Sequence, residues 1–300
     1  MIRKIKYILL VMLFANICSA QQLPHYSLYM FNDVITNPAV CGTKTHDMVF
    51  LSNRSQWVGF EGAPETQLLS YTRNHGENMG IGGLIFNDVT GPISMTGIQL
   101  SYGYNVNLTS DYKLSFGLSA SAFQYIFDGN KAQLHDNTYD NAAPGTIEKT
   151  LVGDATFGTY VYNDKYYIGV SIPQLIQSKI NVSTDNSLAR HYFIHSGYNF
   201  TINKQFDLEP SVMFKTTDAT PFHYDVNLRA IYDKQFWAGL SYRDYDALVI
   251  MLGIDYNNYT LGYSFDITLS DISTFTSGSH GIMIGYKFRE KTQYYRSRNR

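Results

Sequence analysis

The stretch YKLSFGLSASAF, Tyr112–Phe123, alternates between apolar and polar or small side chains. A period of two residues is that of a β-strand, because successive side chains of a strand point to opposite faces of its sheet. The same alternation returns in RHYFIHSGYNFTI (190–202), FHYDVNLRAIY (222–232) and YTLGYSFDITL (259–269). The sequence therefore predicts an all-β chain. In the first stretch the apolar face holds Leu114, Phe116, Leu118, Ala120 and Ala122, and the polar face holds Lys113, Ser115, Gly117, Ser119 and Ser121.

The composition favours a membrane-spanning barrel over a soluble β-sandwich, which stays open as the alternative. Charged residues make up 16% of the chain, whereas typical soluble domains carry about 25%. The polar face of a sandwich would meet bulk water and carry many lysines and glutamates, but here it carries serine, glycine, threonine and asparagine. That face suits a narrow, wet lumen, and the apolar face suits outer-membrane lipid. A formal net charge of −2 without a basic patch argues against nucleic acid as a partner.

The connections between the predicted strands alternate in length, which is typical of an outer-membrane barrel. About fourteen strands are predicted, and one set of connections is short and rich in Asn and Asp, as tight hairpins require. The other set is generally longer and includes 55–65, 125–152, 173–189 and 269–278. Such barrels have short periplasmic turns and longer external loops, and an even strand number leaves both termini in the periplasm. We therefore expect a transmembrane antiparallel β-barrel of about 14 strands with periplasmic N- and C-termini.

The two ends of the chain lack this alternation and are assigned other roles. Residues 1–20 combine a basic start, an apolar run and small residues before Gln21, which is the form of a secretory signal peptide. A membrane-anchoring helix and a lipoprotein anchor on Cys18 remain as alternatives. Residues 21–44 are predicted to be an N-terminal periplasmic or plug-like segment, and residues 45–288 the barrel. Residues 289–300 are predicted to be a periplasmic tail, either a free end or a docking peg.

No constellation of residues indicates catalysis. Ser277, Ser279 and His280 lie together, but nothing nearby in the sequence orients the histidine as a base. The run DNTYDN (136–141) offers oxygen ligands without the spacing of a calcium loop. We therefore expect no enzyme activity, no cofactor and no metal.

Five ordered stretches resemble the PorP/SprF family of type IX secretion system membrane proteins. The first two contain NPAVCG after a tyrosine-rich start and the arginine, glutamine and tryptophan of RSQW. Near the C-terminus Gly281 follows His280 where the family usually has a glutamate, which puts any role for that acid in doubt. The stretches are QLPHYSLYMFNDVITNPAVCG (22–42), NRSQWVGFEGAPETQLLS (53–70), GIGGLIFNDVTGPIS (80–94), LEPSVMFK (208–215) and LGYSFDITLSDISTFTSGSHGIMIGY (261–286).

The resemblance implies an outer-membrane barrel of Bacteroidota-type bacteria that secrete proteins and glide. Members associate with the type IX system, some beside a periplasmic peptidoglycan-binding partner, and others export or hold large surface adhesins. The expected function is thus to assist export of, or to anchor, a secreted cell-surface protein. A diffusion or uptake channel of the fatty-acid-transporter type and a purely structural membrane protein remain as alternatives.

Ten residues are predicted to contact a partner or the plug. Asn37 and Pro38 form the turn of NPAVCG. The segment around Trp57 is expected at the external rim, where it either anchors the barrel at the membrane interface with turn chemistry, or forms a partner-facing rim or locks the NPAVCG plug. The outer loops 125–152 and 173–189 are expected to carry the partner contact. The other predicted residues are Arg54, Gln56, Trp57, Gly59, Tyr139, Asn141, Asn181 and His280.

Overall fold

A computed structural model describes residues 24–131, 145–182, 184–218 and 220–290. They form a closed antiparallel barrel of fourteen strands in which the first and last strands pair, so the predicted architecture is confirmed. The short β11 continues β10 past Asn199 in the wall, and β8 and β9 form a separate hairpin. The strands are β1 His46–Ser55, β2 Glu65–His75, β3 Met79–Thr90, β4 Ile93–Asn107, β5 Lys113–Asp128, β6 Ile147–Tyr162, β7 Tyr166–Ile172, β8 Lys179–Val182, β9 Thr184–Ser187, β10 His191–Tyr198, β11 Phe200–Thr201, β12 Phe206–Thr217, β13 His223–Tyr232, β14 Phe236–Arg243, β15 Ala247–Tyr256, β16 Tyr259–Thr268 and β17 Ser279–Glu290.

The two ends of the barrel differ in their connections. At one end, which we call the turn end, β1 begins, β17 ends and tight turns join the other strands. Asp233 and Lys234 show the chemistry of these turns, since both have a positive φ, which a type I′ turn requires at its two central residues. At the opposite end, which we call the loop end, most of the connections are longer.

The alternation of the sequence matches the two faces of the wall. The Leu118 side chain points outward and is 57% exposed, whereas that of Ser119 points inward and is 2% exposed. Ser115, Ser119 and Ser264 are buried, and their hydroxyls have no hydrogen-bond partner among the described atoms. Large inward side chains and residues 24–45 occupy much of the space inside the wall. The wet lumen stays a prediction.

Two wall strands are longer than predicted. The expected loop 125–152 begins only after β5 ends at Asp128, and β6 already starts at Ile147. The alternation is hard to read there because outward positions such as Gln124 and Lys149 are polar. A ladder of outward polar side chains lies on the neighbouring strands, where Asn87 Nδ2 donates to Gln67 Oε1 at 3.2 Å.

Candidate functional site in the lumen and at the loop end

Residues 24–45, which we call the lumen segment, cross the inside of the barrel from one end to the other. Beside the turn end, Asn74 Nδ2 donates to the backbone oxygen of Lys44 at 2.7 Å. At the loop end, His25 Nδ1 lies 3.7 Å from a carboxylate oxygen of Asp246. Between these points the segment forms three short 3₁₀ turns and is largely buried. The turns are Tyr29–Phe31, Asp33–Ile35 and Pro38–Val40.

Four directly paired glycines on adjacent strands make room for the turn of NPAVCG. We call Gly80, Gly103, Gly117 and Gly158 the glycine row, because each pairs with the next across β3, β4, β5 and β6. A Cβ atom on any of them would overlap atoms of the lumen segment; at Gly117 it would meet only backbone atoms of residues 38 and 39. The wall is therefore flat where the segment lies on it.

Asn37 fixes the segment to the wall at the end of this row. Its side chain is fully buried. Its Oδ1 accepts from the backbone nitrogen of Ala39 at 2.9 Å and caps the turn. Its Nδ2 donates to backbone oxygens of Thr159 at 3.1 Å and Val170 at 3.4 Å. Only a side chain with both an acceptor and a donor serves the turn and the wall at once.

Cys41 follows this turn and is completely buried. Its Sγ would lie 2.6 Å from a Cβ atom on Gly82. Burial raises the pKa of the Cys41 thiol to about 12, so the reactive thiolate is suppressed while the segment stays in place.

An aromatic and apolar cluster holds the middle of the segment. The ring centroids of Phe31 and Trp237 are 4.2 Å apart, and the Arg229 guanidinium lies 4.6 Å from the Phe31 centroid. The Tyr29 hydroxyl accepts from Asn227 Nδ2 at 2.8 Å. Buried Leu28 belongs to an apolar cluster with wall residues. This packing holds the middle of the segment mainly by contact between aromatic and apolar side chains, with the Arg229 guanidinium against one ring.

Near the loop end a buried group of charges holds Ser27. The Ser27 hydroxyl donates to Asp266 Oδ2 at 2.8 Å and accepts from Arg54 Nη1 at 2.7 Å and Arg243 Nη2 at 3.0 Å. Each ion has counter-charges, as buried ions require. Lys215 and Asp225 form a further pair at 3.1 Å. We call the following set the charge cluster: Arg54, Lys215, Asp225, Arg243, Asp246 and Asp266.

The rim around Trp57 is joined to the loop before β17. The backbone nitrogen of Val58 donates to the oxygen of Gly278 at 2.8 Å, and Ser277 nitrogen donates back to the oxygen of Val58 at 2.8 Å. Trp57 has a φ of 48°, which is unusual for a bulky residue. The stretch around Trp57 and the stretch before β17, which both carry the family resemblance, thus form one composite rim above the seam where β1 pairs with β17.

The loop 173–190 folds back over the barrel mouth. Its hairpin of β8 and β9 inserts Ile180 and Val182 into a buried cluster with Phe123 and Val152 of the inner wall. Asn181 lies on the opposite, exposed face of the hairpin. The predicted long connection between wall strands is present, and it contains a small hairpin of its own that the sequence analysis did not anticipate.

The structure brings some of the ten predicted residues together and separates others. Asn37, Pro38 and Arg54 face the lumen, whereas Gln56, Trp57 and Gly59 lie at the rim. The His280 ring faces outward, away from the lumen segment, and its Nδ1 lies 2.7 Å from the Tyr263 hydroxyl, so a contact with a partner is what stays as the prediction for this residue. Tyr139 and Asn141, the signal peptide and the tail beyond residue 290 lie outside the described residues.

The sequence reading missed the residues that contact the lumen segment most closely. The glycine row depends on the register of four consecutive strands, and the partners of Ser27 come from strands far apart in sequence. Only GIGG hinted at a close backbone approach. Among the described residues, no group of three or more His, Cys, Asp and Glu side chains is arranged to hold a metal ion. No helix in the described part is long and apolar enough to cross a membrane.

Comparison with known proteins identifies a matching family and solved barrels of similar fold. The family model described as type IX secretion system membrane protein PorP/SprF matches residues 18–286, and no curated protein matches. The CymD monoaromatic hydrocarbon channel has a TM-score of 0.50 at 13% identity and covers 87% of this chain and 93% of its own. A Pseudomonas aeruginosa FadL homologue also has a TM-score of 0.50, at 9% identity, over 90% of this chain and 96% of its own. These likenesses concern the barrel fold alone.

Proposed function

Because the chain belongs to the type IX secretion system PorP/SprF membrane protein family, we propose that it is a non-enzymatic outer-membrane barrel that assists export of, or anchors, a secreted cell-surface protein. The proposed partner is an adhesin, a class that includes adhesins used for gliding. A periplasmic peptidoglycan-binding component of the secretion system is the proposed partner at the turn end. The family match, which extends over nearly the whole barrel, carries this proposal.

The filled lumen supports a holding role more than a conduit. The cavity beside Tyr26, Ser27 and Arg54 has a volume of about 30 Å³, which is room for about one water molecule. We propose that the lumen segment acts as a plug that closes the barrel in its resting state.

The loop end is the proposed contact with the secreted protein. Outer-membrane barrels place their longer loops outside the cell, and loops on a rigid scaffold are free to carry binding residues. The exposed face of the β8–β9 hairpin, with Lys179 and Asn181, is the described part of this surface. Tyr139 and Asn141 belong to the same proposal.

Purification of the tagged barrel from its native membrane tests the proposal. We expect a secreted surface protein to co-purify and to be released into the medium when the barrel is absent. Lys179→Glu should weaken this association without unfolding the barrel, since Ile180 and Val182 keep the hairpin in place. Lys204→Glu, an exposed substitution at the turn end, is the matched control.

Measuring the uptake of small apolar solutes distinguishes the holding role from the channel alternative. If loss of the barrel leaves every surface protein in place and lowers solute uptake, the holding role is wrong and the channel of the fatty-acid-transporter type replaces it. If neither changes, the purely structural alternative holds.

A further inference from the structure

The barrel wall is taller on one side than on the other. The strands β5 and β6 have 16 residues each, whereas β14 has 8 and β15 has 10. A tilted strand of about 9–11 residues already spans a membrane. On β5 the outward residues are apolar from Leu114 to Ala122, which cover roughly 20 Å of height at a tilt of about 40°. The first polar outward residue after them is Gln124, so the extra length extends past the hydrocarbon at the loop end.

A row of polar side chains marks this change on the outer face. We call Gln67, Asn87, Thr96 and Gln124 the polar ladder, because each pairs directly with the next across β2, β3, β4 and β5. Asn87 Nδ2 donates to Gln67 Oε1 at 3.2 Å, and Thr96 Oγ1 donates to Asn87 Oδ1 at 2.7 Å. Amides and hydroxyls both donate and accept hydrogen bonds. The ladder can therefore bind the hydroxyl groups of a sugar, which also do both.

A cavity lies beside the ladder on the same outer face. It has a volume of about 230 Å³ and is lined by residues of β3, β4, β5 and β6, among them isoleucines of the last three strands. Its charged residues are Asp128, Lys131 and Lys149, and Asp128 Oδ2 lies 4.0 Å from Lys131 Nζ. Exposed Lys149 has no ion-pair partner among the described residues. The cavity thus has one positive charge in excess, which suits an anionic group.

We propose that the polar ladder and this cavity bind the headgroup of a phosphorylated glycolipid of the outer leaflet. Its sugar hydroxyls bond to Thr96 and Gln124, and its phosphate lies against Lys149. The loop end of an outer-membrane barrel faces the outer leaflet, which in bacterial outer membranes is rich in such glycolipids. This inference goes beyond the proposed function and needs no secreted partner.

The position of the site on the wall identifies a lipid as its occupant. Ala122 is the last residue of the apolar face that meets lipid chains on β5, and Gln124 is the next outward position. Two residues along a tilted strand are about 5 Å of height, so a lipid whose chains lie on this face brings its headgroup to the ladder. On β14, β15 and β16 the last outward strand residues at the loop end are apolar or aromatic, namely Tyr242, Leu248 and Ile267. The described headgroup contacts are therefore confined to the tall side.

Lipid analysis of the barrel purified from its native membrane tests the site. Mass spectrometry should detect glycolipid that stays bound through detergent exchange. Lys149→Glu should lower the retained amount at least about fivefold, the gain expected of one lysine at an anionic lipid surface. Gln124→Leu should lower it roughly three- to tenfold, because it removes the amide. Lys165→Glu, an exposed substitution in the turn between β6 and β7 at the turn end, is the matched control and should change nothing.

Membranes of known composition separate sugar recognition from attraction of any anion. The full-length barrel, with a photoreactive amino acid at Gln124, is placed in nanodiscs of phosphatidylethanolamine. These contain either glycolipid purified from the same cells or phosphatidylglycerol. The glycolipid should give the adduct in at least about fivefold higher yield. Equal yields from the two membranes overturn the proposal, because they show a site that attracts any anionic lipid.

The other outcomes keep this inference distinct from the proposed function. Unheated electrophoresis shows whether each variant barrel is folded. If folded Lys149→Glu and Gln124→Leu retain as much glycolipid as the control, the site is overturned. An adduct of position 124 with a protein alone, formed in intact cells, overturns the lipid as occupant. Neither result affects the holding role, which depends on retention of a secreted protein.

Discussion

The glycine row predicts that one added methyl group will displace the lumen segment. In Gly117→Ala the new Cβ would overlap the backbone of Pro38 and Ala39. Backbone in a turn cannot rotate away as a side chain can, and the barrel wall is fixed by pairing on both sides. The segment would have to recede by about 1 Å or more to restore an ordinary carbon contact of about 3.5–4.0 Å.

The expected magnitude follows from overpacking. Extra methyl groups in a packed interior cost about 1–3 kcal/mol, which raises the population of the displaced segment about 5- to 150-fold. The displacement also lengthens the 3.1 Å bond from Asn37 to Thr159. Gly153→Ala, on the neighbouring strand, is the matched control, because its Cβ would lie 3.7 Å from the nearest atom.

Maleimide labelling of Cys41 measures the effect. The closed state is unreactive because the thiol is buried and its pKa is raised to about 12, so the labelling rate follows the displaced population. The folded state of the barrel is checked separately by its mobility in unheated electrophoresis. If Gly117→Ala and Gly153→Ala label Cys41 at the wild-type rate with the barrel folded, the glycine row does not hold the segment.

Three further predictions follow from the wall, the charge cluster and His25. Leu118→Arg should cost about 2–4 kcal/mol if it lies near the bilayer midplane, seen as loss of folded barrel from the membrane, whereas Gln124→Arg in the same strand should be tolerated. Arg54→Met should destabilise the barrel by about 3 kcal/mol, because it leaves buried Asp266 with only part of its counter-charge, and urea unfolding would measure this. Burial lowers the pKa of His25 to about 4, whereas the released form has a pKa of about 6.5 and therefore binds more protons as the pH falls. Acidification from pH 7 to 5 should therefore cost the bound segment up to about 2 kcal/mol, and faster amide exchange in residues 24–31, absent in His25→Asn, would show it.

The strands and their faces could be predicted because they depend on local alternation. Leu118 and Ser119 differ in the sequence as they differ in exposure, and each tight turn carries its own Asn or Asp signal. Prediction of the strand bounds failed where apolar and polar residues no longer alternate clearly. At Gln124 and Lys149 the outward residues turn polar, and in Lys179–Val182 the alternation is too short to separate from a loop.

The contents of the lumen could not be predicted, because they depend on the exact register between strands. Gly103 and Gly117 are unremarkable in their own strands, and only the register of the β4–β5 hairpin sets them side by side. Ser27 gives no signal either, since its partners Arg54 and Asp266 lie in the first and second-last strands of the wall. The turn at Asn37 and Pro38 could be predicted from the sequence, but the glycine row against which it packs could not.

The two halves of the lumen segment are held by different interactions, and this difference bears on function. The half near Cys41 is held by shape, which neither acid nor a charged partner changes directly. The half near Ser27 is held by charged hydrogen bonds that acid at His25 can alter. The packed rings of Phe31 and Trp237 lie between the two halves. A change at the loop end can therefore loosen the start of the segment while the glycine row keeps its other half in place.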